Sequence, residues 1–180
     1  MGKLDKLGAI VTGTAEGIGE AIAKELAIQG AKVACLDFNK DAGQSTVNDI
    51  NESGGEALFI EADIADPVQV KSSIETAASF LGSVDILVNN AAKFIFGAVE
   101  DVSQDQWEDI LKVNVIGYST CVKEALPHLK KSGKSAVVNL ASVSSIIAGP
   151  KFVPYNTTKG AVLMLTRSLA VDLAEFGIRV

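Results

Sequence analysis

Ala9-Ile10-Val11-Thr12-Gly13-Thr14-Ala15-Glu16-Gly17-Ile18-Gly19 is the stretch that decides how this chain folds. Ala9-Ile10-Val11 reads as a short buried strand ending at Gly13. Glycines at 13, 17 and 19 follow, and Ala21, Ile22 and Leu26 carry a helical pattern from Glu20 to Gln29 that stops at Gly30. Glycines placed so allow a tight turn, and let backbone N–H groups and a helix N-terminus approach a pyrophosphate. The spacing is G-x-x-x-G-x-G rather than G-x-G-x-x-G, and alone it serves equally as a tight strand–helix connection.

The same alternation continues outward from this turn. Strands are expected at Lys32 to Leu36, ending at Asp37, then at Ala57 to Ile60, Val84 to Val88 and Ser135 to Ala141. Helices are expected from Asp41 to Ser53, from Asp66-Pro67 to about Leu81, over about 103–131 and over about 153–176. Ser103-x-x-Gln106 is a capping box, and Gly177 is expected to close the last helix as its C′ residue. Arg179-Val180 would open a sixth strand.

Strands joined by long helices imply crossovers and a parallel sheet. Strands this apolar must be covered on both faces. The expected class is α/β, a doubly wound, Rossmann-like parallel sheet, with 1–180 forming one dinucleotide-binding and catalytic domain that lacks its last strands. The ligand site of such a sheet lies at the carboxyl ends of the strands. Gly13, Asp37, Asp63, Asn89-Asn90 and Ser142 all fall there.

Composition narrows the class. A length of 180 residues with 48% hydrophobic content fits one domain with a sizeable core. The net charge is −6 and no Lys/Arg cluster exceeds two in a row, which argues against a nucleic-acid surface. No uncharged stretch is apolar enough to span a bilayer, and the charged start Met1 to Lys6 has no apolar leader. Cys35 and Cys121 sit far apart in apolar runs and read as reduced core thiols of a cytoplasmic protein. There is no metal-ligating constellation.

Asp37 lies 24 residues after Gly13. A carboxylate there can accept both adenosine ribose hydroxyls and would repel a 2′-phosphate. Phe38 and Asn39 are not basic and position 16 is Glu, so NAD is expected over NADP. Glu16, Ile18 and Phe38 join the three glycines as cofactor-lining positions. Asp63-Ile64 would lie beside the adenine, although Asp63 also reads as a loop acid, with Asp66 capping the next helix. Asn90 and Ala91 follow strand four, where paired Asn residues also satisfy the backbone of a turn.

Tyr155 and Lys159 are i and i+4 on a helix and share one face. A nearby ammonium stabilises a phenolate, and such a tyrosine exchanges a proton with a substrate oxygen. Ser142, at the end of the adjacent strand, can hydrogen-bond the same oxygen. A Tyr and a Lys four apart occur by chance in many helices, so the combination with the glycine turn and Asp37 carries the reading. Asn114 is a poor helix-interior residue. It reads either as a satisfied core polar group or as a local irregularity that holds a water against Lys159.

Together these motifs resemble the short-chain dehydrogenases/reductases. Thr12 to Gly19 matches that family's TGxxxGxG, Asn89 to Ala92 its Asn-Asn-Ala-Gly with Ala92 in place of the glycine, and Asn114, Ser142 and Tyr155-x-x-x-Lys159 follow in order. The resemblance implies that Ser142, Tyr155 and Lys159 are catalytic and that Asn114 completes a proton relay. It also implies that Lys159 binds the nicotinamide ribose, that Asn90 lies along the cofactor, and that two subunits meet through the helices at about 103–131 and 153–176. Members of the family continue past the equivalent of Ile178-Arg179-Val180 with a turn under the nicotinamide, a substrate lid, a helix and a final strand. A polypeptide ending at Val180 is therefore expected to be less stable and to turn over little.

The leading expectation is an NAD(H)-dependent oxidoreductase interconverting a secondary alcohol and a ketone. The alternative is a catalytically silent nucleotide-binding or dimerising module of the same fold. Phe94-Ile95-Phe96 and Ile146-Ile147-Ala148-Gly149-Pro150 are apolar and point to a small-molecule substrate that is uncharged or partly apolar, with a sugar, a steroid and an acyl thioester left open.

Overall fold

The computed structural model describes residues 2–180. Among them, five strands form one sheet: β1 (Gly8–Thr12), β2 (Lys32–Asp37), β3 (Glu56–Glu61), β4 (Ile86–Asn89) and β5 (Ala136–Asn139). Their order is β3-β2-β1-β4-β5 and every pairing is parallel. The register sets Thr12 beside Leu36, Asp37 beside Glu61 and Asn89 beside Asn139, so the carboxyl ends of the strands form one edge. The chain changes direction of travel between β1 and β4, where a crevice opens at that edge.

Six α-helices connect the strands: α1 (Gly17–Ile28), α2 (Lys40–Glu52), α3 (Pro67–Leu81), α4 (Gln104–Leu111), α5 (Tyr118–Ser132) and α6 (Val153–Asp172). Alternate strand residues point to opposite faces. Ala9, Val11, Val33 and Cys35 pack under α1 and α2 with Ala23, Ala27, Val47 and Ile50. Ile10, Ala34, Leu36, Leu87 and Val137 pack under α3, α5 and α6 with Ile74, Tyr118, Leu129 and Val162. The strands therefore read as continuous apolar runs rather than alternating ones. Cys35 and Cys121 are free, buried and in opposite cores, and burial pushes each thiol up to about 12.

Helix starts follow local chemistry. Asn39 accepts from Ala42 N, Asp66 accepts from Val68 N and Gln69 N, and Ser103 with Gln106 makes the expected capping box. Two helices depart from the expectation. The segment 103–131 is interrupted by a π-helical turn at Lys112–Gly117, which contains Asn114. A π-bulge of this kind is a frequent feature of functional sites. The segment 153–176 ends at Asp172, and a separate 3₁₀ turn, Ala174–Phe176, carries Gly177 at φ +69 as its cap. Arg179 makes an isolated parallel bridge to Ala136 on the outer side of β5. Val138, which faces away from α5 and α6, is half exposed.

Asp85, just before β4, is buried and holds the opposite edge of the sheet together. It accepts from Gly8 N at 2.9 Å and from the hydroxyls of Ser83 and Ser132. No sequence motif marks it. Among the described residues no helix is long and apolar enough to cross a membrane, and no cluster of metal-ligating side chains forms.

Candidate active site

The turn after β1 is closed by side chains that bond to its backbone. Thr12 Oγ1 accepts from Asn90 N at 3.0 Å and from Ala91 N at 3.2 Å. Asn90 Nδ2 donates to Thr12 O at 3.0 Å and to Gly13 O at 2.9 Å. This ties β1 to β4 across the crevice. A Cβ on Gly19 would stand 1.8 Å from Gly13 O, and one on Gly13 would stand 2.7 Å from Ala91 Cα. Gly17 differs: its φ is +63, and nothing lies within 4 Å of where its Cβ would be. Helix α1 starts there, with Glu16 as an N-cap whose side chain makes no capping bond. Its first N–H groups point to an open approach, which suits an anion.

Asp37 closes β2 and is buried. Its Oδ2 accepts from Ala15 N and its Oδ1 from Asn39 N, both at 2.9 Å. Each carboxylate oxygen retains a second acceptor position, so the group is fixed in place with capacity to spare for ribose hydroxyls. Glu16, Ile18 and Phe38 are exposed around the same opening. Asp63 is a loop acid that accepts from Ala65 N. The side chain of Ile64 does not face this opening: it is buried in the α3–α5 core against Gly117. Only its backbone is left for an adenine. The open space beside Gly17, an uncapped helix end and a fixed carboxylate together fit a dinucleotide.

The second half of the edge is built on α6. Lys159 is buried, its Nζ donates to Leu140 O at 2.7 Å, and it stands 5.9 Å from the Tyr155 ring centre and 5.6 Å from that of Tyr118. Burial pulls Lys159 down from its ordinary value to about 8. The turn carrying Ser142 is clamped to the same residue. Ser145 Oγ accepts from Ser142 N at 3.2 Å and donates to Lys159 O at 2.8 Å, and Ser144 N donates to Ser142 Oγ at 3.1 Å. The structure thus brings Ser142, Tyr155 and Lys159 onto one turn-and-helix unit.

The Asn114 side chain is a satisfied core polar group, the first of its two expected readings, and it sits in the irregular π turn. Its Oδ1 accepts from Lys93 N at 2.7 Å, while its Nδ2 donates to Lys93 O at 2.9 Å and to Thr158 Oγ1 at 3.1 Å. Thr158 Oγ1 in turn donates to Tyr155 O at 2.9 Å. Both amide hydrogens are consumed, so the side chain fastens the segment after β4 to α6 beside Tyr155.

Several participants act in ways that no motif states. Thr12, Ser145 and Thr158 each make more than one hydrogen bond, and each has a partner remote in sequence that no spacing reveals. Phe152 and Tyr118 enter the site by packing. The clue for Thr12 was its place directly before Gly13, and for Thr158 its place between Tyr155 and Lys159.

Comparison with known proteins places this geometry among relatives. The family model for short chain dehydrogenase matches residues 8–180. An uncharacterized oxidoreductase of Thermotoga maritima is 40% identical over 173 residues, covering 95% of this chain and 67% of that protein. A short-chain dehydrogenase/reductase from Burkholderia phymatum, solved in complex with NAD, has a TM-score of 0.94 at 30% identity and covers 99% of this chain and 65% of its own. A 3-ketoacyl-(acyl-carrier-protein) reductase from Brucella melitensis, complexed with NADH, has a TM-score of 0.94 at 35% identity, with 99% of this chain and 74% of its own covered.

Proposed function

This chain belongs to the short-chain dehydrogenase/reductase family, and from that premise we propose that it is an NAD(H)-dependent oxidoreductase interconverting a secondary alcohol and a ketone. The observation that carries the reading is the clamped unit of Ser142, Tyr155 and Lys159 standing on the same sheet edge as the glycine turn and Asp37. One domain holds both the cofactor cradle and the acid–base group.

The α1 N-terminus, Gly17 and Asp37 hold the dinucleotide, and the nicotinamide supplies or takes the hydride when bound. Every other task falls to side chains. Tyr155 gives the proton to the substrate oxygen during reduction and takes it during oxidation. Ser142 holds that oxygen by a hydrogen bond. The Lys159 ammonium stands 5.9 Å from the Tyr155 ring centre and is shielded from water. Asn114 and Thr158 fix the backbone that presents Tyr155. Asp37, already holding two amides, disfavours a 2′-phosphate, which supports NAD over NADP. Exposed Ile116, Met164 and Val171 on the π turn and α6 support pairing with a second copy through these helices.

The test is Tyr155→Phe, with NADH and NADPH titrations by fluorescence. In a catalytically competent form of the protein, turnover is expected to fall by about a thousandfold or more, with NADH binding within about twofold of the parent and NADPH bound more weakly than NADH. Retained turnover, or tighter NADPH binding, would overturn the corresponding part of the reading.

A further inference from the structure

Four aromatic rings meet at the substrate side of Tyr155. Phe94 stacks on Tyr155 with ring centres 5.1 Å apart and planes 22° from parallel. Phe96 meets Tyr155 at 5.6 Å and 57°, and touches Phe152 at 4.6 Å and Phe94 at 6.2 Å. These spacings lie in the range that aromatic pairs prefer. Yet Phe94 is 61% exposed, Phe96 51% and Phe152 39%. Single exposed apolar residues need no explanation, but a contiguous exposed cluster beside a reactive group marks a ligand surface.

The cluster is assembled rather than loose. Its rings come from two segments joined by backbone bonds, Gly97 N to Lys151 O at 2.7 Å and Val153 N to Gly97 O at 3.3 Å. Lys151 adopts φ +62, a left-handed conformation that side-chain-bearing residues seldom hold without surrounding support. That bend presents Phe152 to Phe96. The Lys93 ammonium, on the same segment as Phe94, is paired with Asp109 at 2.6 Å. Val143, Ile146 and Ile147 extend the apolar surface from the Ser142 turn and are exposed.

The three phenylalanine rings themselves offer a polyol no hydrogen bond. A flat apolar ring, by contrast, can rest on Phe94 and Phe96 while its carbonyl reaches the Tyr155 hydroxyl. Resting on the proposed reading of Tyr155 as the proton donor, we propose that Phe94, Phe96 and Phe152 select a secondary alcohol or ketone that carries an aromatic ring beside the reacting carbon.

Binding decides this without relying on turnover. Acetophenone, 2-butanone and a pentitol are titrated against the NADH-loaded protein by ligand-observed NMR, with Phe94→Ala, Phe96→Ala and Phe94→Leu as variants. Acetophenone is expected to bind at least tenfold tighter than 2-butanone. Each alanine variant should lose at least fivefold for acetophenone and less than twofold for 2-butanone, with Phe94→Leu in between. NADH affinity should stay unchanged throughout, which shows that the variants fold. Equal binding of the two ketones, preference for the pentitol, or alanine variants that leave the ketone ratio unchanged would overturn the proposal. If the ring preference holds and no ketone is turned over, the hydride-transfer reading fails while the aromatic wall stands. If ketones are turned over without ring preference, the reverse is true.

Discussion

The two halves of the sheet's carboxyl edge differ in how their polar groups are satisfied. At the glycine turn, Thr12, Asn90, Asp37 and Thr46 each bond to backbone groups brought from another element. Around α6, buried polar atoms lack protein partners: Tyr118 Oη, Asn89 Oδ1 and Asn156 Oδ1. Lys159 is buried with one acceptor for its three donors. The first half is a closed frame that holds a shape. The second keeps costly groups next to the place where a proton is proposed to move, as sites that depart from local consistency commonly do. Changes in the first half should therefore destabilise, whereas removing a polar group in the second should often stabilise.

The largest effect is expected at Gly19. A methyl there would stand 1.8 Å from Gly13 O, and no rotamer relieves a Cβ clash with backbone. Gly19→Ala should cost at least about 3 kcal/mol by denaturant unfolding and abolish NADH binding. Gly17→Ala, with open space around its Cβ position, should cost only about 1 kcal/mol through its positive φ. It should still weaken NADH binding, because the methyl stands where the phosphates approach. Equal stability losses in the two variants would erase the distinction between frame and opening.

What could be read from the chain tracks this division. The strands, the βα turn, the capping box at Ser103 and the alignment of motifs on one edge follow from local pattern, because burial period and cap chemistry act within a few residues. The place of Asp37 at the end of β2 was legible from the apolar run before it. The partners of Asn114 and the direction of the Ile64 side chain were not. Asn114 was readable as a satisfied core polar group and as an irregularity, but its partners Lys93 and Thr158 are 21 and 44 residues away. Ile64 stands next to Asp63 in the chain, yet tertiary packing turns it into the core. The Asp85 staple and the Phe94–Tyr155 stack join segments that no periodicity connects. The end of α6 at Asp172 was missed because Gly177 caps a separate turn, and a single glycine cannot say which turn it closes.

Lys159 gives the next effect. Its value falls from the ordinary 10.5 to about 8. Below pH 8 folded and unfolded chains both carry the proton, and the full cost of the buried charge stands. Between pH 8 and 10.5 the unfolded chain holds more protons, so that cost is relieved as pH rises. Lys159→Met should therefore stabilise the ligand-free protein by about 1 kcal/mol at pH 7, after loss of the donor to Leu140 O, while abolishing turnover. Relative to the parent, that advantage should fall by up to about 3 kcal/mol between pH 7 and pH 10.5. A destabilised, pH-independent variant would show that the ammonium is well compensated and that the two halves do not differ in this respect.

The smallest effect isolates a neutral group in the same half. Tyr118 is fully buried in α5, and its hydroxyl has no hydrogen-bond partner among the described residues. Burial, and then the neighbouring Tyr155, push its ionisation upward, so the group stays neutral through the working range. A buried hydroxyl without a partner costs about 1–3 kcal/mol, and phenylalanine keeps the ring that stands 5.6 Å from Lys159 Nζ. Tyr118→Phe should thus raise stability by about 1 kcal/mol, or about 2–4 °C in Tm, with no dependence on pH between 6 and 9. That pH independence separates it from Lys159→Met, where the gain disappears as the ammonium titrates. Because the substitution leaves Lys159, Tyr155 and Ser142 in place, turnover should remain within about twofold of the parent. A loss of stability would mean that the hydroxyl is satisfied after all, and the contrast between a satisfied frame and an unsatisfied α6 half would then rest on Lys159, Asn89 and Asn156.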